Sequence, residues 1–339
     1  MKEQFRHIGR ETHRILGSDI VTGKAMYVAD NKVPGMKYGK ILRSPYPFAR
    51  IVSVDKSEAL AMDGVACVVT WQDIAGEGIS RHPNILDEYV RYVGDAVALV
   101  VADSEDLAME AMDKIKVEYE QLEPVYTIDE AMKPGAPQLY KEFPGNIAPY
   151  KQNLHFEAGD SGKGFEEADV IVEMDSELTS GQNPLQPPTT IAWWDKGVVT
   201  FIASAAAPAY CHQNVASSLN LPYENVRLIV GAVGGSFGSK LYSGNVHCLV
   251  FTALMARFAN CPVLYAYTKE EHFAAHQTRM VTKGHVKFGM KKDGLATAVE
   301  MTQIADAGAT ASTQEFMLAV GTNSLPIPVS YTHLTLPTK

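Results

Sequence analysis

The chain has 339 residues, of which 46% are hydrophobic, enough to build two or more packed domains. A formal net charge of -9 argues against nucleic acid or an anionic membrane as the main partner, because both attract basic patches. No apolar run is long enough to predict a transmembrane helix, and the first residues do not predict an export signal. The four cysteines are widely scattered, which argues against a disulfide framework, a zinc ribbon or an iron–sulfur cluster and favours the cytoplasm.

The first organised region, residues 16–132, has the pattern of an α/β domain. Strands are predicted at 40–45, 49–55, 65–70, 96–102 and 116–119, and helices at 56–62 and after Ser104. Asp103 or Ser104 can cap the second helix, which carries apolar residues at helical spacing on one face. The strand, helix and strand between 96 and 119 therefore predict a βαβ-like unit.

A cluster of proline and glycine at 133–137 separates the two halves of the sequence. The stretch 133–153 has no clear periodicity, and we interpret it as an interdomain linker. Beyond it, strands are predicted at 169–175, 191–194, 198–204, 262–267, 285–290 and 297–304, and helices at 212–220 and 245–258. Four of these strands flank turns at 195–197 and 291–294 and predict two hairpins, so the second region is α+β.

A glycine-rich stretch, residues 234–240 (GGSFGSK), follows the apolar run 226–230. Glycine reaches positive φ and has no Cβ, so such a loop lets backbone N–H groups approach a ligand closely. The stretch has neither the spacing of a phosphate-binding P-loop nor that of a dinucleotide-binding loop. Without further context, an ordinary tight turn is an equally good interpretation.

Further motifs accompany this loop in a characteristic order along residues 14–312. They are TGKAMY at 22–27, RSP at 43–45, ARI at 49–51, DGV at 63–65, YVGDAVA at 92–98, FEEAD at 165–169, the segment 221–240, YTKEE at 267–271 and DAGA at 306–309. On these motifs the chain resembles the large, molybdopterin-binding subunit of the xanthine dehydrogenase and aldehyde oxidase family.

The resemblance implies an α+β fold class, with an α/β hammerhead domain at 16–132 and the first part of a molybdopterin-binding domain at 154–327. It implies a molybdenum–molybdopterin cofactor, with iron–sulfur clusters and FAD on partner subunits or domains. The implied reaction is hydroxylation of an N-heterocycle, such as a purine or nicotinate, or of an aldehyde, with water as the oxygen source. The cofactor would contact Gly234, Gly235, Ser236, Phe237 and Gly238, and no separate protein-bound metal is expected.

The chain departs from the family pattern at positions near the implied cofactor. Alanines at 205–207 stand where many members have a glutamine, and Gln186 stands where many have a glutamate. We assign Gln186 and Ala206 to the substrate pocket on this basis. Ser236 and Ser239 replace usual glycines, and a serine hydroxyl there could bond the cofactor. These changes fit an unusual substrate, but they also fit a catalytically silent paralogue that serves as a structural or assembly partner, and a generic small-molecule-binding protein stays open.

The resemblance also implies that the family domain continues well beyond residue 312, where its catalytic glutamate lies. We therefore expect an N-terminal fragment, inactive alone, with 328–339 as a foreign or disordered tail. A natural split of the subunit into two polypeptides is the alternative.

Other residues have simpler interpretations. Lys240 is expected at the solvated start of a helix, and Glu270 with Glu271 as a solvated pair. His272 and His276 are expected to be structural or exposed, because no third ligand accompanies them.

Overall fold

A computed structural model of the chain describes residues 9, 11–76, 79, 85–147, 159–178, 181, 183–241, 243–276 and 280–309. The predicted tail at 328–339, the end of the molybdopterin region from 310 on, and the last part of the linker at 148–153 lie outside these residues.

Thirteen strands occur among the described residues: β1 Lys37–Arg43, β2 Ala49–Asp55, β3 Val65–Thr70, β4 Tyr89–Val90, β5 Ala96–Ala102, β6 Lys116–Gln121, β7 Val170–Leu178, β8 Thr189–Asp195, β9 Val198–Ala203, β10 Val226–Val230, β11 Val263–Ala266, β12 Thr282–Met290 and β13 Ala296–Ala305. The α-helices of the same part of the chain are α1 Gly17–Val21, α2 Ser57–Leu60, α3 Glu105–Met112, α4 Ile128–Ala131, α5 Ser161–Glu166, α6 Pro208–Ser218, α7 Ser243–Ala259 and α8 Lys269–Ala275. None of these helices is long and apolar enough to cross a membrane.

Seven strands form the main sheet, in the order β10-β9-β8-β11-β1-β5-β3. The pairs β9–β10 and β1–β11 are parallel, and the other neighbours are antiparallel. Since β1, β3 and β5 come from the first region and β8 to β11 from the second, the two regions share one sheet. The boundary at 133–153 thus divides the sequence without dividing this sheet.

The helix α7 lies across one face of the main sheet and explains why that face is buried. It packs against β8, β11, β5 and β3, strands from both regions. Its apolar residues occur all around the helix, which is the pattern of a helix buried on every side. The largest apolar core accordingly joins Leu99 of β5, Phe201 of β9 and Leu249 of α7.

The predicted βαβ-like unit at 96–119 is wrong in its topology. The strand β5 belongs to the main sheet, whereas β6 pairs with β2 in a separate sheet of order β4-β2-β6. The helix between them forms as predicted, and the Ser104 hydroxyl accepts a hydrogen bond from the Leu107 N–H at 3.1 Å. Local signals therefore located the three elements, but they do not specify which sheet a strand joins.

The third sheet, β13-β12-β7, has two unlike faces. The strand order and register place Val170, Val172 and Met174 of β7 on the same face as Phe288 and Val286 of β12. The helix α5 packs on the opposite face, where Phe165 approaches Gly289. The apolar side chains of β7 are about half exposed among the described residues.

The first part of the predicted linker is packed against the first region. Tyr140 is 6% exposed, and its ring lies 4.3 Å from the guanidinium carbon of Arg91. The Arg91 Nε donates a hydrogen bond to the Leu139 carbonyl at 2.9 Å, and the Tyr140 hydroxyl donates to the Ala309 carbonyl. Residues 139 and 140 are therefore held in place by the segments they connect.

Candidate functional site

The site is built where several strand ends of the main sheet converge. The parallel strands β9 and β10 both end at this edge and lead into segments 204–207 and 231–242. The antiparallel strand β8 begins there, so the segment that precedes it, 183–188, lies at the same edge. The carboxyl ends of parallel strands commonly form ligand sites for this reason. Sheet topology therefore brings together three segments separated by dozens of residues.

The glycine loop between β10 and α7 combines positive φ values with backbone N–H groups that bond no described residue. Gly235 and Gly238 have φ values of 92° and 93°, and Phe237 also adopts a positive φ of 52°. No hydrogen bond within the described residues uses the N–H groups of Gly235, Ser236, Phe237 or Gly238. Successive free N–H groups on such a backbone form a concavity that favours negative charge.

Phe237 marks this loop as more than a turn. A large aromatic residue at positive φ is uncommon, because its Cβ crowds the backbone. The side chain is also 66% exposed, so burial in the core does not offset that strain. Strained backbone of this kind clusters at ligand sites. Phe237 is therefore not a core aromatic residue.

Gln186 binds the loop at two points. Its N–H donates to the Gly234 carbonyl at 3.1 Å, and its side-chain oxygen Oε1 accepts from the Gly234 N–H at 2.7 Å. A Cβ on Gly234 would lie 2.7 Å from the Gln186 Cβ, closer than real contacts allow, so only glycine fits. The structure thus places Gln186 against the loop that the sequence predicted to be the cofactor site.

Lys240 is buried, and its predicted place at a solvated helix start is wrong. The residue is 0% exposed, and its Nζ donates to Gln186 Oε1 at 2.9 Å. Burial is the main cause that lowers the pKa of the Lys240 amine to about 8; the Cys248 thiol opposes the fall, and the Lys269 ammonium adds to it. In the sequence, only its position after a glycine-rich turn indicated that Lys240 lies near the site.

The two loop serines and Ala206 have defined positions. The Ser239 hydroxyl donates to the Ser236 carbonyl at 2.8 Å, and the Ser236 hydroxyl accepts from the Lys240 N–H at 3.2 Å. Both hydroxyls therefore stabilise the loop. Ala206 donates its N–H to the Lys240 carbonyl at 3.0 Å and exposes its methyl group. The segments of Gln186 and Ala206 thus both contact the loop, and their role toward a substrate stays a prediction.

Three buried histidines lie around the inner side of the loop. The His276 Nε2 donates to the Ser239 carbonyl at 3.0 Å, and the His272 ring centroid lies 4.9 Å from that of His276. Burial lowers the pKa of His247 and His272 to about 4 and that of His276 to about 3, so all three are neutral near pH 7. The structural interpretation holds, the exposed one is wrong, and no cluster of three metal-ligating side chains occurs among the described residues.

The carboxylate of Glu271 is paired, so the predicted solvated pair is wrong for this residue. The Arg43 Nε donates to Glu271 Oε1 at 2.9 Å, and both side chains are mostly buried. Arg43 also donates to the Tyr265 hydroxyl and to the Gly94 carbonyl, each at 2.8 Å. These contacts join the first region to α8 beside the site. Because the partners are 228 residues apart, the sequence contained no local signal for them.

The glycine loop fits a cofactor whose exposed atoms are anionic oxygens. Its four N–H groups without a partner among the described residues can each donate to such an atom, and Phe237 offers an exposed ring. The loop itself has no nucleophile with an adjacent base. The arrangement can therefore bind and orient a group that brings its own chemistry.

Two family models match the chain. The model for the molybdopterin cofactor-binding domain matches residues 139–334, more than half of the chain. The model for the a/b hammerhead domain of aldehyde oxidase and xanthine dehydrogenase matches residues 22–123.

Similar proteins agree with these models. The nicotinate dehydrogenase large molybdopterin subunit of Eubacterium barkeri is 34% identical over 321 residues, which cover 92% of this chain and 73% of the relative. A protein named probable hypoxanthine oxidase of Escherichia coli K12 is 33% identical, and the match covers 99% of this chain but 38% of that protein.

Two solved structures are also similar. The CO dehydrogenase of Oligotropha carboxidovorans matches with a TM-score of 0.76 at 26% identity, over 88% of this chain and 39% of that one. The aldehyde oxidoreductase of Desulfovibrio gigas matches with a TM-score of 0.74 at 27% identity, over 86% and 34%. This chain thus spans less than half the length of most of these relatives. It belongs to the aldehyde oxidase and xanthine dehydrogenase family, with a hammerhead domain followed by molybdopterin-binding sequence.

Proposed function

We propose that the chain forms part of a molybdenum hydroxylase that oxidises an N-heterocycle, with an aldehyde as the second substrate class and water as the oxygen source. The observation that carries the proposal is the row of four N–H groups at Gly235–Gly238 that bond no described residue, on a loop that lies inside the matched molybdopterin domain. We favour an N-heterocycle over an aldehyde as the substrate because relatives named for nicotinate and hypoxanthine match most of this chain.

In this proposal Gly234, Gly235, Ser236, Phe237 and Gly238 hold the molybdenum–molybdopterin cofactor. The bound cofactor supplies the redox chemistry. The loop orients it by N–H donation, and Gln186 fixes the loop from behind. Iron–sulfur and FAD subunits accept the electrons in the complex, and the complex works in the cytoplasm. The general base and most pterin contacts come from sequence outside the described residues.

A second candidate is a catalytically silent paralogue with a structural or assembly role. It is favoured by Ala206, whose exposed methyl group has no polar atom to offer a ligand. It is also favoured by Gln186, whose side-chain oxygen already accepts two hydrogen bonds within the protein.

The test is to co-express the chain with an iron–sulfur subunit, a FAD subunit and the remaining molybdopterin-binding sequence of a family member, because the general base and most pterin contacts are expected in that sequence. The purified complex is assayed for molybdenum and for dye-linked oxidation of nicotinate, hypoxanthine and an aldehyde. We expect molybdenum in the complex and none retained by the chain alone. A complex that assembles without molybdenum or activity would support the silent paralogue instead.

A matched pair of variants makes this test specific to the loop. Gly235→Val and Gly197→Val both place a β-branched residue at a positive φ, 92° and 82° respectively. Gly197 lies in the β8–β9 hairpin turn, with nothing within 4 Å of its missing Cβ. We expect Gly235→Val to lose molybdenum and Gly197→Val to keep it. Equal loss in both would show that folding, and not the loop, determines molybdenum content.

A further inference from the structure

We propose that Gln186 and Lys240 form a clamp that fixes the glycine loop and leaves one positive charge beneath it, which makes Lys240 a positioning residue for an anionic ligand of the loop. The ligand's identity as a molybdenum cofactor rests on the proposed function, whereas the clamp itself rests on contacts within this chain.

The clamp joins both ends of the loop to one side chain. Gln186 Oε1 accepts from the Gly234 N–H at 2.7 Å and from Lys240 Nζ at 2.9 Å, so both lone pairs of the oxygen are used. The Gln186 N–H closes the arrangement by donating to the Gly234 carbonyl at 3.1 Å. Removing the Gln186 side chain leaves two donors without their acceptor, which costs more than the bonds contribute, whereas removing the Lys240 side chain loses one hydrogen bond and leaves one lone pair of the oxygen unused.

The clamp holds the four free N–H groups in a fixed orientation. Gly234 and Lys240 flank the row from Gly235 to Gly238, so anchoring both residues limits the motion of everything between them. The Lys240 N–H also donates to the Ser236 hydroxyl, and the Lys240 carbonyl accepts from the Ala206 N–H. Binding to such a preorganised row does not have to order the loop first.

The charge of the clamp is not balanced. Within the described residues Lys240 has no carboxylate partner, and its one polar contact is a neutral amide. The other titratable groups that act on it are the Cys248 thiol of α7 and the Lys269 ammonium of α8. The Lys240 charge in turn contributes to lowering the pKa of His272 in α8 and of His276, which follows that helix. None of these groups is negative near pH 7, because burial also raises the pKa of Cys248 to about 12. The positive charge and the four N–H dipoles therefore favour the same kind of ligand, an anion.

Amide hydrogen exchange by NMR tests the clamp in the whole chain. We expect Gln186→Leu and Lys240→Met each to lower the protection of the Gly234 amide at least tenfold, with β8 and β9 unchanged. The double variant should lower the protection of the Gly234 amide no further than the single variants do, because each substitution disrupts the same arrangement. Gln186→Glu should retain protection, since a carboxylate oxygen accepts the same two donors.

Lys40→Met is the matched control for burial. Lys40 is also a buried lysine, but it pairs with Glu105 on the other side of the fold. We expect it to leave Gly234 protection unchanged. Unchanged protection in Gln186→Leu, or equal loss in Lys40→Met, would overturn the clamp.

Titration with inorganic sulfate tests the charge separately. We expect saturable shifts of the amide signals of residues 235–238 in the unmodified chain at pH 7. Gln186→Glu keeps the clamp but neutralises its charge, so its sulfate affinity should fall at least threefold. Raising the pH to 9.5 should likewise lower the sulfate affinity of the unmodified chain, because Lys240 loses its proton. Equal affinity in the Glu variant, or shifts spread over the surface, would overturn the role of the charge.

These outcomes are independent of whether the complex acquires molybdenum. If exchange and sulfate behave as expected but no complex ever contains molybdenum, the clamp stands and the proposed function fails. If molybdenum is acquired equally by the unmodified chain and by Lys240→Met, the proposed function stands and Lys240 is no positioning residue.

Discussion

Two buried cations, Arg43 and Lys240, differ in how their charge is compensated. Arg43 is bonded to the Glu271 carboxylate, a tyrosine hydroxyl and a backbone carbonyl, whereas Lys240 is bonded to the amide of Gln186. A buried charge is tolerated when a partner replaces the lost water, and it is costly when no partner does. The first arrangement joins two parts of the fold, and the second leaves a charge available to a ligand.

The largest expected effect is the loss of Arg43. Arg43→Met should destabilise the chain by about 3–5 kcal/mol, because it leaves the mostly buried Glu271 carboxylate without its counter-charge. Urea unfolding followed by circular dichroism measures the change. A loss below 1 kcal/mol would mean that Glu271 reaches water, and the contrast with Lys240 would disappear.

His247 is another buried base, which has no counter-charge among the described residues and avoids the cost by staying neutral. Its pKa is about 4 in the folded chain, mainly because of burial, against 6.5 in the unfolded chain. The unfolded state therefore binds more protons between pH 6.5 and 4, so stability falls as the pH drops through that window. His247→Leu should remove roughly 3 kcal/mol of this acid destabilisation, measured as the free energy of unfolding at pH 7 and pH 4.

Lys240→Met should change stability at pH 7 by about 1 kcal/mol or less, since it removes a costly charge together with one hydrogen bond. The pH dependence separates these two effects. Because the folded pKa is about 8 and the unfolded one 10.5, stability of the unmodified chain should rise as the pH increases from 8 to 10.5. The variant should lack that rise. A loss at pH 7 as large as that of Arg43→Met would show that both cations are structural.

The smallest expected effect is at an exposed pair with the same chemistry as Arg43 and Glu271. Arg50 and Glu120 form an ion pair at 2.7 Å whose side chains are 43% and 52% exposed. Water and salt screen such a pair. Arg50→Met should therefore leave the urea midpoint unchanged. A clear shift of the midpoint would mean that pairing, and not burial, sets the size of the Arg43 effect.

Several strands and turns could be predicted from the sequence alone. The strands at 49–55, 65–70 and 96–102 lie where their β-branched and apolar residues predicted them. The sequence also predicted the hairpin turn at 195–197. In the structure Lys196 and Gly197 both have positive φ, which suits a tight two-residue turn. The order of the family motifs likewise identified the glycine loop, whose four free N–H groups the structure then revealed.

Which side chains are buried, and what they bind, could not be predicted from the sequence and depends on the tertiary fold. Gln186 lies 48 residues from Gly234, and Arg43 lies 228 residues from Glu271, so neither contact has a signature at short spacing. Lys240 resembled a solvated residue because lysine is seldom fully buried, and its burial depends on segments that converge at one sheet edge. The sequence also did not predict that both regions share one sheet. A hydrophobic pattern shows that a strand is buried, but it does not show which strand lies beside it.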